Sequence, residues 1–304
     1  MTRPLRDTSA SARQRLLVVS RERGEEFEQV LVRYVAERFL YRLSKSPHAG
    51  AFLLKGAMLF VAWEGMPHRV TRDIDLLGFG DASTERMTNV MREIAETQVE
   101  DDGLAFDCET IRAESIRTIQ DDGGVRVSSI VRLGKARIRL QVDVGFGDAV
   151  TPGPEQIEFP ALIDLPRAVL RAYPVETVVA EKALAMIGRG MLNSRMKDYF
   201  DLLHLSRTRR FDADGLARAL AATATRRGVP ISAGPIVGIS TRFGNDPIKQ
   251  SQWQGFCRRL RAGHPVDPLP TVVDQLAVFL GRIFDAVARG EDAVGRWRPG
   301  GPWD

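Results

Sequence analysis

Cysteine, lysine and histidine are all scarce in this chain of 304 residues, and each scarcity narrows what it can be. The two cysteines, Cys108 and Cys257, are far apart and match no metal or redox spacing, so they read as two reduced thiols. The four histidines, His48, His68, His204 and His264, show no ligand spacing and are read as non-catalytic. No run of 18 or more apolar residues occurs, so no membrane-spanning helix is expected. At the N-terminus LLVV is too short for a secretory core and is flanked by arginines, so a cytoplasmic location is expected. Internal repeats and low-complexity tracts are missing too.

Of 43 basic residues only six are lysine, at 45, 55, 135, 182, 197 and 249. Against that arginine-rich background a retained lysine hints that a compact ammonium is wanted rather than a planar fork. The net charge of +4 and a pI near 9.3 permit a polyanionic partner without requiring one.

Apolar positions at Phe27, Val30, Leu31, Tyr34, Val35, the stem of Arg38 and Phe39 recur at threes and fours, the stripe of an amphipathic helix within residues 9–45. A short strand is expected at 51–54, a helix at 56–63, a strand at 72–77 and a helix at 83–99. From Leu104 to Gly147 the period falls to two, and VRVSSIVRLGKARIRLQVDVGFG predicts an antiparallel hairpin turning at Leu133-Gly134-Lys135. TPGP, Thr151 to Pro154, reads as a linker, with one more short strand after it. From about Val175 the chain is helical, with Asp212 or Asp214 as an N-cap, and RWRPGGPWD reads as a loose tail. The expected fold class is α+β, a mixed sheet with flanking helices followed by an all-helical half. The expected division is 1–165 and 166–304, the second part completing the active-site cleft.

In RDID, Asp73 and Asp75 point to one side of an apolar strand while Ile74 and Leu76 point to the other. Two carboxylates that close repel and raise each other's pKa, and a divalent cation is the usual remedy. Upstream, Lys55-Gly56-Ala57 joins a strand to a helix, a turn where backbone N–H groups can approach a phosphate. Asp143, on the polar face of the second hairpin strand, is the candidate third carboxylate.

This order of phosphate loop, paired aspartates and distal carboxylate is similar to the nucleotidyltransferase superfold of DNA polymerase β. More closely, KGAMLF, HRVTRDIDLLGFGD, LQVDVGFGD, VVAEKALAM and SRMKDYFDL resemble, in family order over residues 50–206, the AbiEii-type toxins of abortive-infection and type IV toxin–antitoxin systems. The resemblance implies a nucleotidyltransferase using Mg²⁺, with Mn²⁺ as a substitute, and an NTP. Lys55, Gly56 and Ala57 match the phosphate-contacting segment, Asp73 and Asp75 the metal-binding pair, and Asp143 the third metal ligand, which also accepts the hydroxyl proton. Lys182 matches a lysine that reaches the triphosphate, and Asp198 and Asp201 match the acids of the last motif, with Arg195 a phosphate clamp beside them. Ala57 departs from the usual Gly or Ser and lacks a hydroxyl for phosphate. The implied partners are tRNA or another RNA acceptor and a separately encoded antitoxin.

Blander readings stand beside these. Lys182 can also be read as a solvated charge, Asp198 as a surface acid, Asp201 as a partner of Arg195 or Lys197, Asp143 as a salt bridge to Arg137 or Arg139, and Arg195, one of 37 arginines, equally as helix surface. The clusters Arg207, Arg209, Arg210 and Arg258, Arg259, Arg261 fit an RNA backbone or solvated helix faces. The acceptor could instead be a small molecule or a protein hydroxyl, and a catalytically silent binding protein on the same fold is the further alternative.

Overall fold

The computed structural model describes residues 8–116, 123–260 and 266–304, so Arg261 and His264 lie outside the described residues. The chain forms two compact units, residues 1–147 with 155–172 and residues 148–154 with 173–304.

The first unit opens with α1 (Thr8–Arg23) and α2 (Phe27–Lys45). Gly24, at φ +58°, breaks the 9–45 region into two helices. The burial of α2 extends beyond its apolar stripe and the Arg38 stem, since Arg33, Glu37, the whole of Arg38 and Arg42 are buried as well. Asp102 explains two of them. Its carboxylate accepts from Arg38 Nε at 3.1 Å and from both terminal nitrogens of Arg42 at 2.5 and 3.1 Å, while Tyr34 Oη donates to its carbonyl. Arg38 also donates to the Pro166 carbonyl at 2.7 Å, and Glu37 accepts from the Leu162 N–H at 2.7 Å.

The chain continues through β1 (Phe52–Lys55), α3 (Met58–Glu64), β2 (Ile74–Gly78), α4 (Thr84–Ala95), β3 (Leu104–Ile116), β4 (Gly124–Leu133), β5 (Ala136–Phe146), β6 (Glu155–Phe159) and β7 (Ala168–Ala172). Ser83 caps α4 by accepting from the Arg86 N–H, and Met87, Val90, Met91 and Ile94 form its buried stripe. The seven strands form one mixed sheet in the order β3-β4-β5-β2-β1-β7-β6. The hairpin turns at Gly134 and Lys135, with Gly134 at φ +57°. β2 runs parallel to β5 and β1 runs parallel to β7, while β1–β2, β3–β4, β4–β5 and β6–β7 are antiparallel. α2 packs on β5 and β7, and α4 on β3 and β4, burying Ile74, Leu76, Leu140, Val142 and Val144. β7 escapes sequence reading because five residues soon after Pro166 carry too short an alternation to register.

The second unit contains α5 (Val175–Arg189), α6 (Met196–Thr208), β8 (Phe211–Asp212), α7 (Ala213–Arg227), α8 (Thr241–Asn245), α9 (Pro247–Cys257), α10 (Leu269–Arg289) and β9 (Arg296–Trp297). α5 packs on α6 and α7, and α10 packs on α6, α7 and α8. Asp212 caps α7 by accepting from the Gly215 N–H. The C-terminal segment is not loose. β9 pairs with β8, Trp297 is buried against Phe279 with its indole N–H on the Ser206 carbonyl, and Trp303 stacks on Phe279 and donates to its carbonyl. Two indoles with satisfied N–H groups bury enough apolar area to hold a segment rich in glycine and proline.

Burial raises the Glu37 carboxyl from its ordinary 4.5 to about 7, against the opposing pull of the Leu162 N–H and Arg38. Because the folded value lies above the unfolded one, the folded state binds more protons between them. Its stability is therefore full below about pH 4.5 and declines as pH rises through 7. Between pH 5 and 8 the unfolding free energy of the wild type is expected to fall by about 2–3 kcal/mol more than that of Glu37→Gln, which denaturant titrations at each pH would measure.

Candidate active site

Strand pairing draws five charged residues into one line across the first unit's sheet. Lys55 on β1 lies opposite Asp75 on β2, and Asp75 lies opposite Asp143 on β5. Asp143 lies opposite Arg126 on β4, and Arg126 opposite Glu114 on β3. Residues directly opposite one another share a face, so the row reads minus, plus, minus, minus, plus from β3 to β1. It occupies the face away from the buried Ile74, Val142 and Val144, and Asp75, Asp143, Arg126 and Lys55 are all half-buried. Asp73 immediately precedes β2, also half-buried, and with Asp143 and Glu114 it adds negative charge around Arg126.

Two glycines make room in this row. Gly56 has φ +71°, and a Cβ built on it would stand 2.0 Å from Asp75 Oδ2. The Asp75 carboxylate therefore lies directly over the turn that follows Lys55, where no other residue fits. A Cβ on Gly145, two residues beyond Asp143, would stand 2.8 Å from Lys55 Nζ, so the ammonium reaches over β5. Ala57 is buried and caps α3. The helix after the phosphate turn begins at Met58, two residues later than expected, because Gly56 sits at φ +71°, and it ends at Gly65 as expected.

Asp143 receives Arg126 in a two-pronged bond, Nε to Oδ1 and Nη2 to Oδ2, both at 2.8 Å, with Gln141 Nε2 at 3.4 Å from Oδ1. The hydrogen bonds to Asp143 raise the Arg126 guanidinium above its already high ordinary value. The expected competitors on the same strand, Arg137 and Arg139, are exposed and lie opposite Arg132 and Ile130. Sequence reading missed Arg126, although the signal was there. Counting back from the Gly134-Lys135 turn places Arg126 across from Asp143.

Among the described residues no three His, Cys, Asp or Glu side chains are gathered as a ready cation site. The donor chemistry nonetheless fits a hard divalent ion: two carboxylates face each other on paired strands, a third precedes one of them, and Gly56 leaves the Asp75 oxygen unobstructed by a side chain.

The second unit gathers the other four sequence candidates. Lys182, on α5, donates from Nζ to Asp198 Oδ1 at 3.1 Å and to Asp201 Oδ2 at 2.7 Å, both on α6. Arg195 Nε donates to Asp198 Oδ2 at 2.5 Å. Both carboxylates are fully buried and the lysine side chain is 11% exposed, so Asp198 is no surface acid and Lys182 no solvated charge. Burial alone would push Asp198 up, but Lys182 and Arg195 together hold it below the usual carboxylate value. The loop carrying Arg195 is braced by two contacts that the sequence did not disclose. Asn193 Oδ1 accepts from the Arg195 N–H, and the buried Lys249 ammonium donates to the Asn193 carbonyl. Beside Lys182 on the same helix, Glu181 pairs with Arg227 of α7.

Removing the Lys182 ammonium takes the shared cation from two buried carboxylates. Lys182→Met is expected to cost about 3–5 kcal/mol in unfolding free energy, whereas the exposed Arg218→Gln should cost under about 1 kcal/mol. Denaturant unfolding of the two variants checks this.

The family described as nucleotidyl transferase AbiEii toxin, type IV toxin–antitoxin system, matches residues 38–278. No curated protein matches the sequence. Two solved structures from Helicobacter pylori, that of JHP933 and that of a candidate nucleotidyltransferase, are similar at 15% identity and a TM-score of 0.43. They cover 83% and 84% of this chain and 90% and 94% of their own. With four-fifths of its length inside the family match, the chain belongs to the AbiEii nucleotidyltransferase toxins of type IV toxin–antitoxin systems.

Proposed function

We propose that this nucleotidyltransferase modifies RNA, transferring a nucleotide from an NTP to a hydroxyl at the acceptor end of tRNA in a Mg²⁺-dependent reaction. The acceptor oxygen forms a bond to the α-phosphorus, the bond from that phosphorus to the β-bridging oxygen breaks, and pyrophosphate leaves while the hydroxyl proton passes to solvent. The observation that carries the reading is the facing of Asp75 and Asp143 on paired strands with Lys55 next in the row. Asp73, Asp75 and Asp143 would hold the metal, a role in which Mn²⁺ could replace Mg²⁺. A divalent ion held there supplies charge neutralisation at the triphosphate and favours ionisation of the attacking hydroxyl.

The chain's own groups do the rest. The Lys55 ammonium and the Gly56 backbone N–H bind phosphate oxygens, the ammonium as a point charge. Lys182, oriented by Asp198 and Asp201, is the second cation for the phosphates, and Arg195 is a clamp whose angle Asp198 fixes. Both oxygens of Asp143 are engaged by Arg126, which supports a part as a charge-bearing ligand. A nucleotide added to the tRNA acceptor end would block aminoacylation and stop translation, which suits a toxin whose antitoxin is encoded separately. The net charge of +4 suits the same substrate.

Purified protein incubated with total tRNA, Mg²⁺ and each α-³²P-labelled NTP tests this. Label is expected in tRNA with at least one NTP, and Asp75→Asn should lower the rate by about 10²–10³ or more. Failure to label with all four NTPs, alongside metal-dependent NTP binding, would redirect the activity to a small-molecule or protein hydroxyl. A second expectation concerns Arg126, which competes with any cation for Asp143. Arg126→Gln should tighten Mn²⁺ binding about fivefold, roughly 1 kcal/mol of Coulombic competition, read by electron paramagnetic resonance of free Mn²⁺. Unchanged or weaker binding would show that the pair supports the metal site instead.

A further inference from the structure

The ribbon of β8 and β9 carries an arrangement that the catalytic residues do not use. Phe211 faces Trp297 and Asp212 faces Arg296 across it. Phe211 and Trp297 are buried, so their neighbours at 210, 212, 296 and 298 project to the outer side. Arg210 immediately precedes β8 and Arg298 immediately follows β9, so both flank the same end of the ribbon. Arg210, Arg296 and Arg298 line one open cleft of about 480 Å³.

Two acids line the same cleft, but both are otherwise engaged. Asp212 Oδ2 accepts from the Gly215 N–H as the cap of α7, and Asp304 Oδ1 accepts from the backbone N–H of Arg296. Among the described residues, the guanidiniums of Arg210, Arg296 and Arg298 form no ion pair or hydrogen bond with the protein. Two other arginines of this unit are tied down. Arg207, a neighbour of Arg210 in sequence, is tied to Asp267 and Gln275, and Arg218 to Asp214. Three exposed guanidiniums collected around one cleft suit an external anion with several negatively charged oxygens. A planar fork is the group suited to phosphate oxygens.

We infer that this cleft binds the phosphodiester backbone of the RNA substrate, with Arg210, Arg296 and Arg298 each contacting phosphate. The inference rests on the tRNA reading above and deepens it by assigning a docking site on the second unit. The contacts position the RNA and read no bases. The floor of the cleft has no exposed aromatic ring on which a base could stack, since Phe211 and Trp297 are turned into the core.

The experiment is tRNA binding by full-length protein, measured by fluorescence anisotropy over a range of salt. Three proteins are compared: wild type, Arg210→Gln/Arg296→Gln/Arg298→Gln, and Arg218→Gln/Arg242→Gln/Arg289→Gln, which removes the same charge at exposed positions elsewhere in the unit. Thermal unfolding of each confirms that it folds. The cleft triple is expected to bind at least tenfold more weakly at low salt and to lower the slope of log K against log salt by about 3, one for each lost phosphate contact. The control triple should retain a slope close to wild type. Equal weakening by both triples would reduce the effect to bulk charge and overturn the cleft. An unchanged slope in the cleft triple overturns the cleft alone, while wild type that binds no tRNA at any salt overturns the tRNA reading with it. Should the cleft triple fail to fold, Arg298→Gln alone serves as the variant, with an expected slope change of about 1.

Discussion

Two carboxylates face each other across the β2–β5 pair, and the surroundings of Asp75 and Asp143 are arranged to bear that repulsion. Cations flank them in the row, Lys55 on one side and Arg126 on the other. The apolar half of the same strands is sealed beneath α2 and α4, which fixes the register: a slip of one residue would bury the acids and expose Ile74 and Val142. Gly56 then becomes obligatory, since the Asp75 carboxylate takes the space a side chain would need. The site is thus set by the strand ladder, with the hydrophobic core as its guarantor.

Buried ion clusters recur elsewhere in the chain. Asp102 lies between Arg38 and Arg42 under the first unit's helices, far from the candidate residues, and in the second unit Asp198 and Asp201 share Lys182. Such clusters are costly to desolvate and contribute little net stability compared with an apolar core, but losing one member is expensive. Their value lies in fixing geometry. Lys182 with two acid partners keeps its ammonium in one place despite a flexible stem, and Arg195, held at Nε, keeps a defined plane. Electrostatics and positioning are coupled in both units.

Much of this was legible in the order of residues. Strands at 52–55 and 74–78, the hairpin at Gly134 and the helical second half all declare themselves through period, glycine and cap. The family motifs name Lys55, Asp73, Asp75, Asp143, Lys182 and Asp201 before any coordinates are available. What failed to register has physical reasons. β7 is too short for its alternation to stand out. The C-terminal nonapeptide looks like a tail because its order comes from Trp297 and Trp303 packing back on Phe279 of the preceding helix, a tertiary contact that leaves no period in the segment itself. The burial of Arg38 and Arg42 depends on Asp102, some 60 residues distant, and periodicity holds no record of such a partner.

The sequence by itself determined the family and the α+β class and singled out the candidate acids, because these rest on local pattern and on motif order. Tertiary structure alone decided the partners. Asp143 went to Arg126 across the hairpin and not to Arg139 or Arg137, four and six residues away on its own strand, because a cross-strand neighbour stands about 5 Å off whereas four residues along a strand span about 13 Å. Asp198 became a fully buried ligand of Lys182, because α5 and α6 pack together and exclude water. Three arginines came to share one cleft because a two-residue ribbon joins segments some 85 residues apart. Charge is written in the sequence, but its neutralisation depends on distances that only the folded chain supplies.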